Sequence, residues 1–141
     1  MSDPDVEAKQ TPTVEKVPTA QRMLIVDDDK AVREAVELLM ITIGFDVVSV
    51  DSGRSAVALF ENPSPSSPPI DWAIIDLSMP VMDGIETVRR IREIQPALPI
   101  ILATGYTDKA IPDELIAHQH TALVQKPYRS EAILQVLETL K

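Results

Sequence analysis

Met23-Leu24-Ile25-Val26-Asp27-Asp28-Asp29 decides how the rest of the chain is read, because an unbroken apolar run stops abruptly at three carboxylates. An apolar run that short, with no polar alternation, has the length of a buried strand. Four more such runs occur, at residues 47–50, 72–75, 100–103 and 122–124. Each is followed by helical spacing. Residues 30–43 place Val32, Ala35, Val36, Leu39 and Ile43 on one face before Gly44, a helix stop. Residues 54–61 form a short helix with Ala56, Val57, Leu59 and Phe60, and residues 84–94 carry the stripe Ile85, Val88, Ile91 and Ile94. Residues 112–119 begin with Pro112, a favoured first helical residue, and residues 130–140 put Ile133, Val136, Leu137 and Leu140 on a core face behind Ser130 as N-cap. Five strands thus alternate with five helices. Strands that are apolar throughout imply a sheet covered on both faces, hence parallel strands in an α/β sandwich.

The chain has 141 residues, room for one domain with a tail. Residues 1–22 contain Pro4, Pro12 and Pro18 and show neither period, so a disordered N-terminal tail is expected there, with one domain over 23–141. The stretch Asn62-Pro63-Ser64-Pro65-Ser66-Ser67-Pro68-Pro69-Ile70 is a stiff connection that neither a helix nor a central strand could contain. Without cysteine there is no disulfide framework and no thiolate metal site, which favours a cytoplasmic protein. No apolar run approaches a membrane span. A net charge of −9 argues against direct binding to a nucleic-acid backbone.

Ligands of parallel sheets sit beyond the carboxyl ends of the strands. There the first strand ends in Asp27-Asp28-Asp29, the third in Asp76, the fourth in Thr104-Gly105 and the fifth in Lys126-Pro127. Singly these are weak signals. An acidic triplet after a strand is often a loop that caps the next helix, and Asp29 is assigned that role. Together they bring carboxylates, a hydroxyl and an ammonium to one edge. Like charges ~4 Å apart repel by about 4 kcal/mol at an effective dielectric near 20, so the cluster needs a cation or shifted pKa values. An all-oxygen site suits Mg²⁺, and the constellation fits phosphoryl chemistry on a carboxylate nucleophile.

Leu24-Ile25-Val26-Asp27-Asp28, Ile75-Asp76-Leu77-Ser78-Met79-Pro80 with Met82-Asp83-Gly84, Ala103-Thr104-Gly105 and Gln125-Lys126-Pro127 resemble the receiver domain of two-component response regulators, also found in hybrid histidine kinases. The resemblance runs from about Met23 to Lys141. It implies a flavodoxin-like (βα)5 three-layer sandwich with a parallel sheet of order 2-1-3-4-5. It also implies that Asp76 is the phosphoacceptor, that Asp28 ligates Mg²⁺ directly and Asp27 mainly through water, and that the Ser78 carbonyl completes the set with Asp76. Thr104 would hydrogen-bond the phosphoryl group, Lys126 would pair with it, and the Lys126–Pro127 peptide would be cis. The implied function is transfer of a phosphoryl group from a partner phosphohistidine to Asp76 and its later hydrolysis. The partner would be a sensor histidine kinase or a histidine phosphotransferase, and the output protein–protein contact. Such a chain acts on itself and is not an enzyme in the usual sense. No Gly-rich phosphate loop marks an ATP site, and with the chain stopping at Lys141 no second domain is expected.

Two departures from the family pattern lie on its usual signalling face. Leu123 stands where Tyr or Phe is usual, and Gln119-His120 replaces a small pair. Leu123 puts the aromatic switch in doubt, with Tyr106 the aromatic next to the site. His118 and His120 are read as surface residues, because hard Mg²⁺ chemistry does not call for imidazole. Two other classes remain. An aspartyl-nucleophile phosphatase or phosphotransferase usually has a second Asp two residues after the nucleophile, where this chain has Ser78. A pseudo-receiver scaffold would have no need to concentrate Asp27, Asp28, Asp76, Thr104 and Lys126.

Overall fold

The computed structural model describes residues 21–79, 84–105 and 111–140. Residues 1–20 of the expected tail, Pro80, Met82 and Asp83 of the quoted motif, and Tyr106 lie outside the described residues. The elements are β1 (Arg22–Val26), α1 (Lys30–Ile43), β2 (Asp46–Val50), α2 (Gly53–Glu61), β3 (Trp72–Asp76), α3 (Gly84–Ile94), β4 (Ile100–Thr104), α4 (Asp113–Ile116), β5 (Thr121–Gln125) and α5 (Ser130–Leu140). All strand pairs are parallel, in the order β2-β1-β3-β4-β5.

Successive side chains of each strand enter opposite layers, which is why the strand sequences do not alternate with polar residues. On one face Leu24, Val26, Ile75, Ile100 and Leu102 pack with Ala56 and Val57 of α2, Val88 and Ile91 of α3, and Leu115 of α4. On the other, Met23, Ile25, Ile74, Ile101 and Val124 pack with Val36 and Met40 of α1 and Ile133 and Leu140 of α5. Burying each large aliphatic side chain stabilises the fold by about 1.5–3 kcal/mol.

Local signals place the helix ends. Asp29 caps α1, its carboxylate accepting from the Val32 amide at 3.2 Å. Gly44 ends α1 at φ 123°, a conformation that favours glycine, while its amide donates to the carbonyls of Met40 and Ile41. The strands extend by a residue beyond the apolar runs, as at Asp46, Asp76, Thr104, Thr121 and Gln125, and three differences from the sequence reading have a local cause. β1 begins at Arg22, since the Gln21 carbonyl accepts from the Asp46 amide and Arg22 exchanges hydrogen bonds with Asp71 across to β3. The helix expected over 112–119 is the single turn Asp113–Ile116, capped by Pro112. It stops there because the chain must turn through His118, whose carbonyl accepts from the Thr121 amide, to enter β5. Ser130 is the first residue of α5, not its cap, and the Arg129 carbonyl takes the bond from the Ile133 amide.

Candidate functional site

Strand register assembles the site. Val26 pairs with Ile75, so Asp27 emerges level with Asp76. Asp76 pairs with Ala103, which puts Thr104 one step further along β4. Thr104 pairs with Gln125, and its carbonyl accepts from the Lys126 amide at 2.7 Å, so Lys126 leaves β5 at the same edge. The Lys126–Pro127 peptide is cis.

Asp27, Asp28 and Asp76 each offer a carboxylate oxygen within 4.8 Å of the others. Asp27 and Asp76 are only 3% exposed, and Asp28 is exposed. Lys126 Nζ stands 3.4 Å from Asp27 Oδ2 and 3.3 Å from Asp76 Oδ2. Burial pushes the Asp27 carboxyl above the usual range; the Asp29 amide on its Oδ1 works against this, and the Asp76 charge adds to it. Burial acts to lower the Lys126 pKa, but Asp76 and Asp27 outweigh it and hold the ammonium above its ordinary value. Tyr128 follows the cis peptide, and burial, with both carboxylates nearby, raises its hydroxyl far above the usual tyrosine range.

Asp76 Oδ1 accepts from the Ser78 amide at 3.1 Å and the Ser78 hydroxyl at 3.0 Å. Ser78 itself is exposed on the turn after β3. The position where an aspartyl phosphatase would carry its second acid therefore holds a hydroxyl that donates to Asp76. Thr104 is half-buried, and its hydroxyl donates to the Val124 carbonyl at 3.5 Å, a long bond that is weak by geometry. Asp29 caps α1, while the Asp28 carboxylate lies near those of Asp27 and Asp76.

Several contributors carry no local motif. The Arg33 guanidinium, one turn into α1, donates to the Asp27 carbonyl at 2.9 Å and holds the end of β1. Gly84 opens α3 directly against the backbone of Asp76 and Leu77. Leu123 is 41% exposed on β5, opposite Leu102, because the single turn of α4 does not cover it. His118 and His120 are half-buried in the turn before β5, their ring centroids 5.6 Å apart, and are not among the carboxylates of the site.

A doubly wound parallel sheet with buried acids and an ammonium at its carboxyl edge defines a class of α/β proteins whose chemistry lies at one strand end. The chain belongs to the response regulator receiver domain family, whose sequence profile matches residues 23–138; these are the receivers of two-component phosphorelay signalling. It is 31% identical over 120 residues to a cyclic di-GMP phosphodiesterase of Thermotoga maritima, covering 84% of this chain and 31% of that protein. It thus spans less than a third of that relative's length. It is 28% identical over 119 residues to the chemotaxis protein CheY of Bacillus subtilis, covering 84% of this chain and 95% of CheY. The structure of Vibrio cholerae CheY4 superimposes with a TM-score of 0.70 at 26% identity, covering 86% of this chain and 99% of CheY4.

Proposed function

We propose that residues 23–141 accept a phosphoryl group from a partner phosphohistidine onto Asp76, and that the acyl phosphate formed changes which protein surface the chain presents. The observation that carries this reading is the placement of buried Asp76 beside Asp27, with the Lys126 ammonium facing both carboxylates, 3.3 Å from Asp76 Oδ2. An Asp76 oxygen attacks phosphorus as the P–N bond to the imidazole breaks. Lys126 pairs with the phosphoryl oxygens, exchanging one anion for another, and so moves less than a newly recruited cation would. The Thr104 hydroxyl exchanges its long bond to Val124 for one to the phosphoryl group. The Ser78 hydroxyl orients the Asp76 carboxylate.

The donor set is all oxygen and carries three carboxylates against one ammonium, which fits a hard divalent cation such as Mg²⁺. Asp27, Asp28, Asp76 and the Ser78 carbonyl would hold it, Asp27 mainly through water. When bound, Mg²⁺ supplies neutralisation of phosphoryl charge.

The partner is a sensor histidine kinase or a histidine phosphotransferase. Next to the pocket α1 exposes Ala31 and also Ala35, which the sequence spacing had placed on the inward face, with Leu38 at 66% and Ile41 at 56% exposure. These residues recur at helical spacing on one stripe, and they supply an apolar surface for a helix that carries the phosphohistidine. The net charge of −9 argues against direct nucleic-acid binding, and no described helix is long and apolar enough to cross a membrane; a cytoplasmic receiver is the setting we propose. Incubation with an acyl phosphate and Mg²⁺, followed by intact-mass measurement, tests this. Wild type gains one phosphoryl mass and Asp76→Asn gains none. Stoichiometric labelling of Asp76→Asn on another carboxylate would overturn the assignment.

A further inference from the structure

At the carboxyl end of β1 every polar atom of Asp27 is engaged. Its amide donates to the Val50 carbonyl at 3.3 Å, its Oδ1 accepts from the Asp29 amide at 2.9 Å, and its Oδ2 faces the Lys126 ammonium at 3.4 Å. Its carbonyl accepts from Arg33 Nη1 at 2.9 Å. Arg33 is half-buried in the first turn of α1, and its own amide donates to the Asp29 carbonyl at 2.8 Å. The arginine is thus fixed at its backbone by the helix and at its guanidinium by the strand end.

Asp28 is held differently. It is exposed, and among the described residues no group hydrogen-bonds its carboxylate, yet one of its oxygens lies within 4.8 Å of those offered by Asp27 and Asp76. Its direction is therefore set by its backbone. A peptide unit is planar, so fixing the Asp27 carbonyl also fixes the Asp28 nitrogen and Cα. The following peptide is pinned by the Asp29 amide on Asp27 Oδ1. Both planes that flank Asp28 are held, and on the first of them the holding group is the Arg33 side chain.

We propose that Arg33 is a positioning residue for the cation site. Its hydrogen bond to the Asp27 carbonyl orients the peptide that carries Asp28, and so aims the Asp28 carboxylate at the point it shares with Asp27 and Asp76. The inference rests on the Mg²⁺ reading of that cluster. Its sign is opposite to that of plain electrostatics. A positive charge repels a nearby divalent cation, so removing an arginine with no positioning role strengthens binding. Removing a group that orients a ligand weakens it, typically by roughly 10–100-fold. The direction of the change in Mg²⁺ affinity separates the two.

Calorimetric titration of Mg²⁺ into the unphosphorylated full chain, at fixed ionic strength and well below each melting temperature, reads the affinity without phosphoryl chemistry. Arg33→Met is expected to weaken binding about tenfold or more. Arg33→Lys, which keeps a cationic donor, recovers most of that loss. Lys30→Met removes an exposed charge from the same helical turn but no bond to Asp27, and its affinity equals or exceeds that of wild type. In the metal-free chain, the carbonyl carbon resonance of Asp27 shifts in Arg33→Met as its hydrogen bond is lost. A folded Arg33→Met chain that binds Mg²⁺ as tightly as wild type, or more tightly, would overturn the proposal. An equal loss in Lys30→Met would also overturn it, in favour of a general loosening of α1. Wild type that takes up no Mg²⁺ would instead overturn the cation reading itself, and this inference with it.

Discussion

A Cβ added to Gly84 would lie 2.3 Å from the carbonyl oxygen of Asp76 and 2.4 Å from the Leu77 Cα. The N-terminus of α3 therefore rests on the backbone that presents the proposed phosphoacceptor, and only a residue without a side chain permits that approach. Both neighbours are backbone atoms of a buried strand end, so neither can swing aside.

Gly84→Ala is expected to destabilise the fold by about 1–3 kcal/mol through overpacking, even though alanine is the better helix former by about 1 kcal/mol. The denaturant midpoint falls with an unchanged slope. Phosphoryl labelling of Asp76 slows as the strand end shifts. A midpoint equal to wild type would mean the two backbones separate without cost.

Lys126→Ala removes the ammonium that both Asp27 and Asp76 face. Labelling by an acyl phosphate continues at a reduced rate, while the conformational response weakens. The check is the amide shift change on phosphorylation at Thr104, Gly105 and residues 113–116. These changes are large in wild type, larger than at Leu123, and shrink in the variant. A full response in Lys126→Ala would remove the lysine from the signalling route.

Millimolar Mg²⁺ is expected to raise the melting temperature at constant ionic strength, because a cation relieves the repulsion among Asp27, Asp28 and Asp76. At ten times the dissociation constant the gain is about 1.4 kcal/mol. Asp28→Asn reduces the shift. An unchanged melting temperature in wild type, together with Mg²⁺-independent labelling, would argue that no divalent ion binds there.

Arg92 bridges α3 to the turn before β5. Its guanidinium donates to the carbonyls of Pro96, Leu98 and His120 and, at 2.8 Å, to the Thr121 hydroxyl. Arg92→Leu leaves these acceptors without their donor and is expected to cost about 1–3 kcal/mol. Thermal melts at pH 7.5 measure the loss. A neutral substitution would indicate that water replaces the guanidinium fully.

The same turn carries a pH dependence. Burial, then the Arg92 charge and His120, hold His118 below its ordinary value of 6.5. The unfolded chain therefore takes up this proton at higher pH than the folded one. Stability contributed by neutral His118 is present above pH 6.5 and is lost as pH falls through that value toward the depressed folded pKa. Because the ring is near the surface, the effect is small and best read by NMR titration of its Hε1 proton. A midpoint at or above 6.5 in the folded chain would contradict the stated environment.

The order of elements and the acids at the strand ends were legible along the chain. Runs such as residues 23–26 and 72–75 are apolar throughout because both sheet faces are covered, and that pattern is local. Asp27, Asp28, Asp76, Thr104 and Lys126 each sit at the end of such a run, so a parallel sheet places all five on one edge without further information. What only the tertiary structure decided is how groups distant in sequence meet. The register that sets Lys126 3.3 Å from Asp76 is a through-space relation, as are the contact of Gly84 with the Asp76 backbone and the reach of Arg92 to His120. The length of α4 and the exposure of Leu123 belong with them. The turn into β5 cuts that helix short, and no periodicity in residues 112–119 reports where a neighbouring strand begins. Local pattern encodes which face a residue turns inward; the partner it finds there depends on the packing of the whole chain.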